Sequence, residues 1–214
     1  MAFALRPTDA LLVIDMQLDF LPSTSQHHST LAVTNGDAII PGINALAARF
    51  DHVILTQDWH PAKHISFAST HNLNPFTDTF AAPYGLQTLW PDHCIQNTLG
   101  AELHPDLNIP HAELILRKGF RQNIDSYSAF TENDATTPTG LAGYLRERGL
   151  QRLFFTGLAY DFCVAFSALA AVKLGFESIV IDDLTRPVGL PGTVESTNES
   201  FTAANVQLLH SSNF

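Results

Sequence analysis

The chain has two cysteines, and one of them stands where a cysteine can act. In FFTGLAYDFCVAFSALA, Phe154 to Ala170, an apolar run ends at Gly157, a turn-like stretch follows, and Cys163 opens a segment with helical spacing. At a strand-to-helix junction, backbone N–H groups point outward and the helix dipole favours a thiolate. Asp15 closes a second apolar run, ALLVID, and Lys118 follows a third, AELILR. A thiol, a carboxylate and an ammonium at one place support acyl transfer. The thiolate attacks a carbonyl carbon. The carboxylate takes the thiol proton and later gives it to a leaving amine. The ammonium steadies both anions and lowers the thiol pKa. Backbone N–H groups around Ala159 and Cys163 can form an oxyanion hole.

A second constellation has the residue types of a metal site. TQDWHPAKHIS holds Asp58 and His60 two apart, so in extended chain both side chains point the same way. WPDHC supplies His93, with His64 and His71 as further candidates. Two histidines and one carboxylate form a common open site with room for water or substrate. Cys94 adjoins His93 and is expected to be packed.

The elements that must position these groups are legible as alternating patterns. ALLVID (10–15), HVILTQ (52–57), AELILR (112–117), RLFFTG (152–157) and SIVIDD (178–183) read as strands covered on both faces. Between them lie helical patterns: from Asp37 as cap to Phe50, after Thr139 to Gly149, from about Asp161 to Leu174, and near 193–204. VQLLH is a last short strand. Strands alternating with helices predict an α/β fold, three layers with a mostly parallel central sheet, doubly wound. Asp15, Asp58 with His60, Lys118 and the turn bearing Cys163 each follow a strand. Ligands in such sheets bind outside the carboxyl ends of the strands, so the candidates share one edge. From about 60 to 110 the periodicity fails. A stretch this long without pattern marks a functional loop region.

Composition bounds the partners. A formal net charge of −10 disfavours nucleic acid and anionic membrane. The start, MAFALRPTDALLVID, has neither the charge nor the apolar length of a signal peptide or a membrane span. Two cysteines far apart do not suggest a disulfide framework, so a reducing cytoplasm is expected. The 214 residues suit one domain, 1–214.

The motifs DMQLDF (15–20), QDWHPAKHISFA (57–68), WPDHCIQNT (90–98), KGFRQNIDSYSAF (118–130) and GLAYDFCV (157–164) together resemble the nicotinamidases, within the isochorismatase-like cysteine hydrolases. DWHP with WPDHC separates these from isochorismatases and carbamoyl amidohydrolases, which lack the metal site. The resemblance implies Asp15, Lys118 and Cys163 as a catalytic triad. It implies Asp58, His60 and His93 as ligands of one divalent metal, zinc with iron or manganese as substitutes. It implies a cis peptide at Leu158–Ala159 that aims the Ala159 N–H into the oxyanion hole. It implies a ring pocket from Phe20, Trp90, Tyr127 and Leu158.

The implied reaction is hydrolysis of nicotinamide to nicotinate and ammonia through a thioester, with the metal taking the pyridine nitrogen. Pyrazinamidase-type activity and a role in NAD salvage are implied with it, and self-association into a homo-oligomer is left open. Leu18, Tyr160 and Phe162 depart from the family pattern, and the last two are expected at the pocket rim. Three alternatives stand beside this reading. One is a related cysteine amidase with another small amide. Another is a hydrolase whose metal-bound water attacks while Cys163 only packs. The third is a catalytically silent scaffold.

Overall fold

The computed structural model describes residues 3–214. Six strands form one sheet: β1 (Asp9–Ile14), β2 (His52–Asp58), β5 (Leu114–Lys118), β6 (Arg152–Leu158), β7 (Glu177–Arg186) and β8 (Gln207–Leu209). Two more, β3 (Thr79–Ala82) and β4 (Gly85–Thr88), pair as an antiparallel hairpin. The helices are α1 (Ile40–Ala47), α2 (Ala68–His71), α3 (Leu141–Glu147), α4 (Ala165–Lys173) and α5 (Thr193–Ala204).

All pairings in the large sheet are parallel, in the order β5-β2-β1-β6-β7-β8. The order reverses between β1 and β6, and such a reversal opens a crevice at the carboxyl ends of the two strands. Every residue of β1 and of β6 is buried, which fits apolar runs covered on both faces. Alternate β1 side chains serve opposite faces. Leu11 and Val13 join Ile39, Ile43, Leu46 and Phe50 in one core. Ala10, Leu12 and Ile14 join Leu141, Leu145, Ala168 and Phe201 in the other. The result is a three-layer α/β/α fold of the expected class.

Local details differ from the pattern-based reading. Asp37 does not cap α1. It opens a 3₁₀ turn, Asp37–Ile39, and α1 proper starts at Ile40 with Pro41 in its first turn, where a missing N–H costs nothing. The helix expected from about Asp161 begins as a π-turn, Tyr160–Val164, before α4. The region 60–110 carries α2 and the hairpin within otherwise irregular chain.

One glycine is decisive for the crevice. Gly157 has φ +96°, and a Cβ there would sit 2.1 Å from the Ile14 carbonyl oxygen. Only glycine lets β6 pass this close to the end of β1. Both cysteines are free and buried. Among the described residues, no helix is long and apolar enough to cross a membrane.

Candidate active site

The strand ends bring the acyl-transfer candidates into contact. Asp15 directly follows β1, Lys118 is the last residue of β5, and Cys163 lies in the π-turn after β6. All three are buried. Lys118 is the hub. Its Nζ lies 2.8 Å from Asp15 Oδ2 and 2.5 Å from Asp58 Oδ1. It donates to Cys163 Sγ at 3.3 Å and to the Ser126 carbonyl at 3.1 Å. Asp15, Asp58 and Cys163 bring one ligand atom each within 4.8 Å of one another. Asp15 Oδ1 accepts from Thr56 Oγ1 at 2.5 Å.

Two carboxylates around one ammonium set the charge states. Burial disfavours a charged Lys118, but Asp15 and Asp58 outweigh it and hold the ammonium protonated. Burial would raise Asp58 too, yet Lys118, His60 and His93 hold it well below the usual carboxylate range. Asp15 goes the other way: burial raises it, Lys118 only partly opposes this, and Asp58 adds to it.

The Cys163 thiol is pushed well up, by burial first and then by Asp15 and Asp58 against the single Lys118. The sequence-based expectation of a low-pKa thiolate is therefore corrected. A resting thiolate would be a third anion beside one cation in a dry site. The arrangement instead favours proton removal during attack. A buried carboxylate with a raised pKa is a better base for that than an ordinary aspartate.

The second carboxylate oxygen of Asp58 faces two imidazoles. Oδ2 lies 3.6 Å from His60 Nε2 and 3.9 Å from His93 Nε2. His60 Nδ1 donates to the Gly119 carbonyl at 2.9 Å, and His93 Nδ1 to the Pro91 carbonyl at 2.7 Å. A carbonyl can only accept, so each Nδ1 carries a proton and Nε2 is the nitrogen turned toward Asp58, which raises the His60 pKa against the effect of burial. Gly119, at φ +62°, allows this approach, since a Cβ there would lie 2.5 Å from His60 Cε1. His93 is held neutral, its pKa down to about 4, by burial and by the neighbouring His60. Two imidazole nitrogens and one carboxylate oxygen, within 4.8 Å of one another and backed by carbonyls, fit a divalent metal.

His64 stacks on His60 at 4.2 Å, but its Nδ1 is engaged by Ser66 Oγ and its Nε2 by the Ile124 carbonyl. Its nitrogens serve the protein. His71 lies apart, bonded to the Ile65 carbonyl and stacked on Phe80. Cys94 is fully buried beside the Gly100 carbonyl.

The nucleophile and the metal-ligand candidates open onto one cleft. Phe20, Trp90 and Tyr127 line it as expected from the sequence, and Ala159 lines it beside Cys163. The Leu158–Ala159 peptide is cis. Leu158 itself does not line the cleft. As the last residue of β6 it turns into the core, where it neighbours Gly36 and is fully buried.

Phe162 meets the cleft, edge-on to Trp90 at 4.8 Å, but Tyr160 faces the opposite core, against Phe201, with its hydroxyl on Asn198. Its expected place at the rim is therefore corrected. Leu31, Val188 and Asp125 also line the cleft. Only Asp125 lay inside a motif. Leu31 and Val188 come from irregular chain that carries no periodic pattern.

Comparison with known proteins places this geometry. The family model described as Isochorismatase domain matches residues 9–206. The chain is 50% identical to the nicotinamidase of Acinetobacter baylyi over 205 residues, 95% of this chain and 93% of that protein. It is 42% identical to the nicotinamidase of Escherichia coli over 189 residues, 86% of this chain and 85% of that protein. Among solved structures, an Acinetobacter nicotinamidase–pyrazinamidase superposes with TM-score 0.93 at 50% identity, covering 97% of this chain and 98% of that one. A protein from L. infantum in complex with nicotinate gives TM-score 0.85 at 38% identity, covering 100% and 98%. A Pyrococcus horikoshii pyrazinamidase in complex with zinc gives 0.77 at 31%, covering 95% and 99%.

Proposed function

We propose, from the premise that this chain belongs to the isochorismatase family, that Cys163 is its nucleophile, Asp15 its proton carrier and Lys118 the fixed charge between them. The chain is an amidohydrolase that converts nicotinamide to nicotinate and ammonia. The observation that carries the assignment of roles is Lys118 Nζ, which touches Asp15, Asp58 and Cys163 Sγ at once. One side chain thereby ties the nucleophile, its base and a metal-ligand candidate to one cleft.

The ring lies between Phe20, Trp90, Tyr127 and Phe162, and the carboxamide carbon reaches the Cys163 sulfur. As the S–C bond forms, the thiol proton passes to Asp15. The carbonyl oxygen takes up the negative charge and is met by the Ala159 and Cys163 N–H groups. Asp15 then returns the proton to the amide nitrogen, the C–N bond breaks, and ammonia leaves a thioester. Asp15 next takes a proton from water as the water oxygen bonds to the carbonyl carbon. The C–S bond breaks, the sulfur recovers its proton, and nicotinate departs. Lys118 keeps its proton throughout.

Asp58, His60 and His93 would hold a divalent metal, zinc with iron or manganese as alternatives. When bound, it supplies a Lewis-acid position for the pyridine nitrogen, which fixes the ring. The whole chain then acts as one hydrolase domain on a small molecule in the cytoplasm, in NAD salvage.

The test is ammonia release from nicotinamide by the purified, metal-supplemented protein. A Cys163→Ala control runs alongside, with mass spectrometry of the quenched enzyme. Release and a nicotinoyl adduct are expected from the native protein and neither from the variant. Undiminished release by Cys163→Ala would show that metal-bound water attacks instead.

A further inference from the structure

Thr56 lies within β2, fully buried, and no feature of the sequence singled it out. Val13 of β1 pairs with Leu55 of β2, so Thr56 stands one step on, beside the point where β1 ends. There the chain does something costly. Asp15 takes φ +46°, a left-handed conformation that residues other than glycine adopt rarely. Such outliers persist only where the surroundings hold them, and they cluster at functional sites.

One hydroxyl meets Asp15 at two points. Thr56 Oγ1 accepts the Asp15 backbone N–H at 3.1 Å and donates to Asp15 Oδ1 at 2.5 Å. A hydroxyl has a single proton, so the donation to Oδ1 leaves its lone pairs for the amide. Both contacts fall on the same residue, one on its backbone and one on its carboxylate. Together they fix where the backbone turns and how the carboxylate is rotated. The other oxygen, Oδ2, faces the Lys118 ammonium, with Nζ 2.8 Å away. The carboxylate shares a small space with the Cys163 sulfur, one ligand atom of each lying within 4.8 Å of the other, and a carboxylate oxygen beside one ammonium still has a lone pair to accept a proton.

We propose that Thr56 is a positioning residue for the reaction. Its hydroxyl occupies Oδ1 and holds the left-handed turn at Asp15, so that Oδ2 alone is presented to the thiol and, later, to the leaving nitrogen and the water. This rests on Asp15 being the proton carrier. Thr56 touches neither substrate nor sulfur. It acts by choosing which oxygen of the base works.

The role is carried by the hydroxyl and not by bulk, and four variants separate the two. Thr56→Ser keeps the hydroxyl and loses the methyl. Thr56→Val keeps the volume and loses the hydroxyl. Thr56→Ala loses both but leaves room for a water to replace the hydroxyl. Asp15→Asn controls for the underlying reading. Steady-state kcat and KM for nicotinamide are measured, with the rate of Cys163 alkylation by iodoacetamide.

The expected order of kcat is Thr, then Ser within about 3-fold, then Ala, then Val. A loss of about 10- to 100-fold is expected for Val, the scale of one hydrogen bond to a charged group. KM should stay within about 2-fold of native, and alkylation should slow in step with kcat. An order set by volume, with Val above Ser and Ala, overturns the inference, and so does a Val variant as active as the native protein. If Val does not fold, the near-isosteric Ser and Ala decide alone: equal rates overturn the role of the hydroxyl. Asp15→Asn at native rate would remove the reading beneath it. Asp15→Asn inactive with Thr56→Val unimpaired would remove only the role of Thr56.

Discussion

The cleft has two halves that are held in different ways. Asp15, Lys118 and Cys163 stand at or just past the ends of β1, β5 and β6, and the parallel ladder sets their spacing. Ile14 pairs with Gly157, and Asp58 with Lys118. His60, His93, Trp90 and Tyr127 sit in irregular chain. They are held by isolated backbone bridges, His60 with Ile95 and Trp90 with Phe67, and by side chains that bind backbone. Gln17 clamps Asp58 on both sides, donating to its carbonyl at 2.8 Å and accepting its N–H at 2.7 Å. Asp19 accepts the Cys94 N–H at 2.7 Å, next to His93. The strand half is built by the same interactions that build the core. The loop half is built by local polar contacts on top of it. Damage to the first therefore reaches stability, and damage to the second stays with binding.

The largest test of that difference is Lys118→Met. It leaves Asp15 and Asp58 facing each other in a dry site without their cation. Breaking such a buried pairing costs about 3–5 kcal/mol, and for a chain of this length about 10 °C in Tm. Turnover should vanish with it. Calorimetry showing an unchanged Tm would break the comparison.

His93→Ala comes next and should behave in the opposite way. Metal binding by titration is expected to be lost, and kcat/KM to fall by about 100-fold or more. Tm in metal-free buffer should stay within about 3 °C, because the hydrogen bond His93 donates goes to a loop carbonyl and not to the strand ladder. A collapse of the fold would make the metal-ligand half structural as well.

How much of this was legible follows the same division. The strands and the residues at their ends could be read because an apolar run announces a buried strand, and a polar residue after it announces an edge. That argument reached Asp15, Lys118 and Cys163 with no knowledge of relatives. The loop half was legible only through motif spacing, since no periodicity specifies how residues 60–110 are laid down. Leu31 and Val188 left no trace, and Leu158 was misplaced because its neighbour Ala159 faces the cleft. The low-pKa thiol failed for a different reason. The sequence shows a lysine near a cysteine, but not that two carboxylates already share that lysine.

Gln87 sharpens the loop half further. It is buried on β4, and its Nε2 donates to Tyr127 Oη at 2.8 Å and to Asp125 Oδ2 at 3.0 Å. Its Oε1 accepts from the Tyr84 hydroxyl and from Asn133 Nδ2. Trp90 Nε1 also donates to Tyr127 Oη, at 2.9 Å. One amide thus sets the two aromatic walls through a shared hydroxyl. Gln87→Leu is expected to raise KM about 10-fold, the scale of one or two lost hydrogen bonds, with kcat within about 3-fold. An equal fall in kcat with native KM would instead tie Gln87 to the chemical step.

The smallest effect is expected within a single turn. Tyr160 and Phe162 are two residues apart and both buried. Phe162 belongs to the core that faces the cleft and packs on Trp90 and Tyr127. Tyr160 belongs to the core on the other face of the sheet, where its hydroxyl meets Asn198 Oδ1 at 2.5 Å. Tyr160→Phe should therefore cost about 1 kcal/mol of stability, the net worth of one hydrogen bond, and leave KM for nicotinamide within about 2-fold. Phe162→Ala should raise KM several times more than Tyr160→Phe while the Tyr160–Asn198 contact persists. The pair measures how sharply the sheet edge separates binding from packing. If Tyr160→Phe moved KM as far as Phe162→Ala, the two faces would be coupled through the π-turn, and its residues would have to be treated as one wall of the cleft.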